Sequence, residues 1–305
     1  MNPISALLVA LGVLTAVFVG TWGSIIASVR RERGAGDSPA TDVRVPTALS
    51  LGTGAVTNFF DTLGIGSFAT TTAMFKAFKM VPDRIIPGTL NAGHTLPTIV
   101  QAFFYIAAIP VDVVTLISMI AAAVAGAWLG AGIVAGWPKR YVQIGMGFAL
   151  LAAAIFFTMR NLGLFPAGST AIGVSGALLV VAIAGNFLLG ALMSLGIGLY
   201  APCMVLISLL GMNATTAFPI MMGSCAFLMP VGSLKFIKER AYSLPVALGL
   251  ALGGIPGVIV AATIVKSLNL TTVRWLVIVV VLYTALTMLY AAYSERGAGT
   301  DGPAR

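Results

Sequence analysis

The stretch "FFDTLGIGSFATTT", residues 59–72, gathers chemistry in an otherwise apolar chain: one acid (Asp61), two close glycines (Gly64, Gly66) and, after them, four hydroxyls (Ser67, Thr70, Thr71, Thr72). Glycines there permit a tight turn and close backbone approach. A helix starting near Ser67 would aim free N–H groups and the positive end of its dipole at whatever lies before it, and Ser67, Thr70 and Thr71 would add hydroxyl donors. That combination binds an anion without a buried Lys or Arg. A second Gly-x-Gly, Gly196 and Gly198, repeats the arrangement later in the chain. Two helix starts meeting from opposite sides would enclose one substrate site. Tight packing is the competing role for each glycine pair alone.

Further polar groups stand nearby in sequence. "IIPGTLNAGHTLP" (85–97) carries Asn91 and His94, and "FPIMMGSCAFLMP" (218–230) carries Ser224. Their prolines lead us to expect kinked or interrupted helices. Asn91 and Ser224 are candidates to line the pocket, or else to satisfy carbonyls that the prolines free. Asp61 is the only acid inside an expected membrane segment and His94 the only histidine of the chain. Ionisable groups at that depth are costly and often functional, so both are candidates to couple protons to transport. Capping of backbone N–H groups is the alternative role of Asp61. Cys203 and Cys225 read as small buried residues rather than ligands. Asn58, Gln101 and Asn186 are polar in apolar runs without a rank among them.

What positions these residues is a membrane. Apolar residues make up 59% of the 305 and charged residues 9%, with a mean hydropathy of +1.02. Residues 1–29, 113–138, 141–159, 161–234, 241–265 and 275–294 hold no Asp, Glu, Lys or Arg. Each is near or above the ~20 residues that cross the hydrocarbon core as a helix. The net charge of +8 falls between the apolar runs, as topology signals do, and excludes nucleic acid as the expected partner. The two cysteines suggest no disulfide framework. The first segment lacks the basic start of a cleavable signal and is followed by Arg30, Arg31 and Arg33, so it reads as a retained span.

Placing Gly64 on Gly196 aligns "GIGSFATTTAMFKAFKMVPDRIIP" with "GIGLYAPCMVLISLLGMNATTAFP" without a gap. The chain therefore reads as residues 1–46 (a span and a cytoplasmic loop), two repeats at 47–160 and 161–294, and a cytoplasmic tail at 295–305. If each Gly-rich stretch crosses once, seven of the 17 Lys and Arg residues fall outside; if each enters and leaves by one side, 14 fall inside. The positive-inside rule selects the hairpin. A hairpin plus three spans is an odd number of crossings, so the second repeat is inserted upside down, as in many secondary transporters. The expected fold is an all-α polytopic membrane protein of two inverted repeats, each a Gly-rich re-entrant hairpin with three transmembrane helices, after one extra N-terminal span. The N-terminus is expected outside and the C-terminus in the cytoplasm.

"DTLGIGSFATTTAMFK", "IPGTLNAGHTLPT" and "LMSLGIGLYAPCMVLISLLGM" resemble the sulfite-exporter family of the TauE/SafE type, over most of residues 47–293. Members commonly carry three consecutive glycines and a proline soon after. Here Ser67 follows Gly66, and only the second copy has the proline, Pro202. The resemblance implies a multi-pass permease of the bacterial inner membrane for sulfite, thiosulfate or organosulfonates such as sulfoacetate, driven in some form by protons. It implies no enzyme activity, cofactor or metal; partners are the small anion, the bilayer and protons as coupling ion, with homo-oligomerisation left open. The rival readings are a passive anion channel, an intramembrane hydrolase using Ser67 with His94 as base, and an assembly protein without cargo.

Overall fold

A computed structural model describes residues 2–34, 46–64, 66–82, 85–130, 170–193, 198–267 and 270–298, with scattered positions between 140 and 162. The described residues form helices and no strand. In order these are α1 (Pro3–Gly34), α2 (Ala48–Thr62), α3 (Ser67–Ala77), α4 (Ile86–Ala108), α5 (Val113–Ala125) running into a π turn (Gly126–Gly130), α6 (Gly176–Met193), α7 (Tyr200–Leu209), α8 (Ala217–Lys238), α9 (Leu244–Ser267) and α10 (Leu270–Ala298). Among the described residues four stretches are long and apolar enough to cross a bilayer: Pro3–Ser28, Gly176–Met193, Ala214–Lys238 and Leu244–Ile264. Their outward faces are apolar too, with Val9, Val13 and Val17 on α1, Val180 on α6 and Leu252 and Ile259 on α9 exposed. Helices apolar on every side belong in lipid, so this is a membrane protein. Much of the expected span at 141–159 and most of the loop at 29–46 lie outside the described residues.

α3 and α7 have 11 and 10 residues, about half of what a crossing needs. The break before α3 has a local cause. Gly64 (φ 96°) and Gly66 (φ 84°) adopt the left-handed region that side chains avoid, and the Gly64 N–H still bonds the Asp61 carbonyl at 2.8 Å. Past α3 the chain returns beside the middle of α2, where Thr53 Oγ1 donates to Met80 Sδ at 3.8 Å. α7 likewise lies against α6: a Cβ on Gly185 would collide with Leu206. The residue that follows comes back to the start of α6, with Asn213 N–H on the Ala171 carbonyl at 2.8 Å. Both short helices end alike. Lys79 (φ 49°) and Gly211 (φ 79°) turn left-handed. The next N–H then reaches back five residues, Met80 to the Phe75 carbonyl at 2.9 Å and Met212 to the Ile207 carbonyl at 3.2 Å. This is the Schellman cap, which satisfies carbonyls that a helix end leaves open.

α4 and α8 pack against each other at the centre, with Tyr105 stacked on Phe218 at 5.2 Å. α2 packs on α9 and α6 on α5. Glycines set both contacts. Any side chain at Gly253 or Gly257 would strike the α2 backbone at Leu51 or Ala55, and one at Gly190 would strike the Ala123 carbonyl. Small residues at such seams let backbones approach and gain dispersion, the main attraction available between helices in lipid.

Neither α4 nor α8 is interrupted at its inner proline: α4 continues through Pro97 and α8 through Pro230. Pro87 sits in the first turn of α4 and Pro219 is the third residue of α8, where no intrahelical N–H bond is lost. At Pro97 the facing residue is Gly254, whose missing side chain leaves room for the ring.

Hydrogen bonds between elements mark the two ends of the bundle. Ser243 N–H meets Thr89 Oγ1 at 2.9 Å and Trp22 Nε1 donates to the Tyr242 hydroxyl at 3.1 Å. These bonds put the start of α4, the α8–α9 turn and the later part of α1 at one end, beside Lys235, Lys238 and Arg240. At the other end Asp112 N–H bonds the Ile172 carbonyl at 2.9 Å, and Thr115 Oγ1 bonds Val174. Asp112 caps α5 there by accepting from Thr115 N–H at 2.8 Å. That bond and one from the Thr115 hydroxyl hold its carboxyl below the ordinary value.

Candidate functional site

The two helix starts meet at one buried cavity. Ser67, the first residue of α3, and Tyr200, the first of α7, both line it, together with Gly66 and Gly198. A Cβ on either glycine would find no atom within 4 Å, so both backbones face open space. Asp61 and Thr98 complete the polar wall, and Phe68, Met193, Leu199, Cys225 and Met229 form the rest. The volume, about 20 Å³, holds roughly one water molecule. A larger hollow of about 430 Å³ is lined by Val100, Phe103, Phe104, Ala107 and Ala108; with no hydrogen-bonding side chain it carries no chemistry.

A directed chain of hydrogen bonds ends on Asp61, which is 2% exposed. The Tyr200 hydroxyl donates to Gln101 Oε1 at 2.7 Å. That fixes the Gln101 amide, whose Nε2 donates to Asp61 Oδ2 at 2.8 Å and to Thr62 Oγ1 at 3.1 Å. Thr62 in turn donates to the Asn58 carbonyl at 2.7 Å. Ser67 lines the same cavity as Asp61. The Gln101 amide gives the buried carboxylate a hydrogen-bond donor in place of a cation. This arrangement links α2, α4 and α7 in one network.

His94 belongs to a second network. Asn58 Nδ2 donates to the Gly54 carbonyl at 2.8 Å, so Oδ1 faces His94 Nδ1 at 3.0 Å and accepts its N–H. His94 Nε2 then accepts from Thr71 Oγ1 at 2.9 Å. A neutral imidazole with its proton on Nδ1 satisfies both contacts. His94 is fully buried and ties α2, α3 and α4 together behind the cavity wall.

The remaining expected site residues divide. Gly64 lies against the methyl groups of Met204 and Met221 rather than at the cavity. Thr70 turns its hydroxyl back on the Gly66 and Ser67 carbonyls, at 3.2 and 2.9 Å. Asn91 bonds the Pro87 carbonyl at 2.9 Å on a partly open face of α4 and is not among the lining residues. Its place one turn after a proline explains this: it serves its own helix end. Ser224 accepts from Asn186 Nδ2 at 2.9 Å, one residue from the lining Cys225. Asn186 also donates to the Met119 carbonyl at 2.7 Å. Gly196 lies outside the described residues.

Three lining or network residues carried no such weight in the sequence: Tyr200, Gln101 and Thr98. The signal for Tyr200 was its place two residues after Gly198, where Phe68 stands in the first copy. Gln101 stands exactly two helical turns from His94, on the same face of α4. Among the described residues no three His, Cys, Asp or Glu side chains group as a metal site would require. No protein-family model, no curated protein and no solved structure matches this chain.

Proposed function

We propose that this protein is a secondary transporter that carries a small anion across the bacterial inner membrane, binding it between the starts of α3 and α7. The observation that carries the reading is that Ser67 and Tyr200, the first residues of two short helices, line one cavity together with Gly66 and Gly198. Converging helix N-termini supply backbone donors and positive dipole ends to a bound anion. Discontinuous helices meeting in a buried centre are how many secondary transporters build such a site.

In this reading α2–α3 and α6–α7 are re-entrant hairpins of two inverted repeats. The return of Met80 to Thr53 and of Asn213 to Ala171 supports hairpins. The matching caps at Lys79 and Gly211, 132 residues apart like Gly64 and Gly196, support the repeat. The first hairpin opens beside Lys79, at the end with Lys235 and Lys238; the second opens beside Asp112. By the positive-inside rule the lysine end faces the cytoplasm. A cavity for one water is too small for any oxyanion of sulfur, so this arrangement is a closed state. Transport requires that the hairpins part alternately to the two sides.

Sulfite, thiosulfate or an organosulfonate is the cargo that the resemblance to the sulfite-exporter family proposes. Counterflow in proteoliposomes tests the function: labelled sulfite, thiosulfate, sulfoacetate, sulfate and a carboxylate are offered to vesicles preloaded with the same anion. Saturable exchange of one sulfur anion, reduced by Ser67→Ala, is the expected result. Flux that grows linearly with concentration and ignores preloading would indicate a channel instead.

A further inference from the structure

We infer that His94 and Gln101 are the posts of two latches on α4, one holding α3 and the other α7 shut over the cavity. The inference rests on the transport reading above and adds to it the residues that keep each side closed. His94, Thr98 and Gln101 follow one another along a single face of α4, spaced by four and three residues. The middle one, Thr98, lines the cavity, and the outer two flank it by about one helical turn each. The start of α4 lies at the lysine end, bonded through Thr89 to Ser243, and its other end leads to Asp112. His94 therefore stands on the lysine side of the cavity and Gln101 on the opposite side.

Both posts make the same pair of attachments. His94 Nδ1 bonds Asn58 on α2 at 3.0 Å, and Nε2 bonds Thr71 on α3 at 2.9 Å. Gln101 Nε2 bonds Asp61 and Thr62 on α2 at 2.8 and 3.1 Å, and Oε1 accepts from Tyr200 on α7 at 2.7 Å. One attachment of each post thus goes to α2 and the other to a short helix. When α3 swings away, His94 keeps Asn58; when α7 swings away, Gln101 keeps Asp61. α2 is itself seated on α9 at Gly253 and Gly257. α2 and α4 form the frame, and α3 and α7 are the parts that move.

A bond of this kind has two stable conditions. Thr71 and Tyr200 are both buried, so breaking either bond in the closed protein strands a donor and an acceptor away from water. Water that floods an opened path pairs both groups again. The neighbouring contacts are not directional in this way. Thr70 bonds carbonyls at the start of its own helix, and α7 otherwise buries apolar side chains such as Met204, Val205 and Ile207. From the cavity α3 runs toward Lys79 and α7 toward Gly211. Release of Thr71 opens a way to the lysine end, and release of Tyr200 a way to the other.

Cys225 lines the cavity, and in a Cys203→Ala background it is the one cysteine left, a native reporter of access. It is labelled with a small charged methanethiosulfonate in right-side-out and in inverted membrane vesicles. The Cys203→Ala parent should react slowly from both sides. Thr71→Val should speed labelling from the cytoplasmic side alone and Tyr200→Phe from the outside alone. Each change should be about fivefold, the shift that loss of one hydrogen bond imposes on a two-state equilibrium. Thr71→Ser, which keeps the hydroxyl, should return to the parent rate. General loosening of the fold would raise both sides alike; that result, or no acceleration by either variant, overturns the inference. Should Thr71→Val fail to insert, Tyr200→Phe decides alone: faster labelling from the outside only supports the latch, and any other pattern overturns it. Counterflow on the same parent protein separates this inference from the reading beneath it. Side-specific labelling without exchange of any anion would remove the transport reading and leave the latches, and exchange with side-blind labelling would do the reverse.

Discussion

Gly64 and Gly66 share a left-handed backbone but differ in what a methyl group would meet. At Gly64 it would press on Met204 at 3.3 Å; at Gly66 it would find open space. Gly66→Ala should therefore cost only backbone strain, about 1–2 kcal/mol, and Gly64→Ala that strain plus the displacement of Met204. Thermal unfolding in detergent should rank wild type above Gly66→Ala and Gly66→Ala above Gly64→Ala; equal melting points for all three would contradict the assigned geometry. Tyr200→Phe isolates a different effect. It leaves Gln101 Oε1 without its donor in a buried place, a loss of about 1–3 kcal/mol. The same change frees the Gln101 amide to rotate, so the affinity for anion should fall along with stability.

At the scale of elements, Asp112 offers a clean pH test because it lies outside the apolar spans. Its carboxyl is held below the ordinary value chiefly by the Thr115 N–H. The charged form is thus favoured in the folded protein. Its contribution is complete above the unfolded carboxyl value, about 4, and is lost as the pH falls through the lowered folded value. Asp112→Ala removes an N-cap and should cost about 1 kcal/mol at neutral pH. The gap in melting temperature between wild type and variant should close on acidification; a gap that stays constant to low pH would mean the cap does not depend on charge. Helix seams make a second test. Gly253→Leu places a side chain against the Leu51 carbonyl, and should separate α9 from α2 and abolish folding, whereas Gly232→Leu, with nothing within 4 Å, should be tolerated.

The element scale also separates what composition could reveal from what it could not. Uncharged runs announced the long helices, because lipid demands apolar length and little else. Gly64 and Gly66 announced the break before α3, since positive φ restricts the residue type directly. Of the two outcomes the prolines allowed, interruption does not occur at Pro97 or Pro230; at Pro97 the room for the ring comes from Gly254, 157 residues away in sequence. Asn91 takes the second of its two expected roles, as a polar side chain near a helix start has its own backbone within reach. The Tyr200–Gln101–Asp61 chain joins residues 99 and 40 positions apart. No local pattern encodes such a meeting.

At the scale of the whole molecule, the two hairpins should open to opposite faces. Cysteines introduced as Ala77→Cys and Asn213→Cys, each alone with Cys203 and Cys225 replaced by alanine, should react with a membrane-impermeant maleimide from opposite sides; same-side labelling would contradict the inverted repeat. The proposal that both helix starts hold a single anion is tested most directly by substrate protection. Ser67→Cys and Gly198→Cys, each in that cysteine-free background, are alkylated in vesicles opened by freeze–thaw while the concentration of the exchanged anion is raised. If one anion sits between α3 and α7, it should slow alkylation at both positions with the same half-saturating concentration. Protection at only one position, or at neither while exchange persists, would place the anion elsewhere and contradict the shared site.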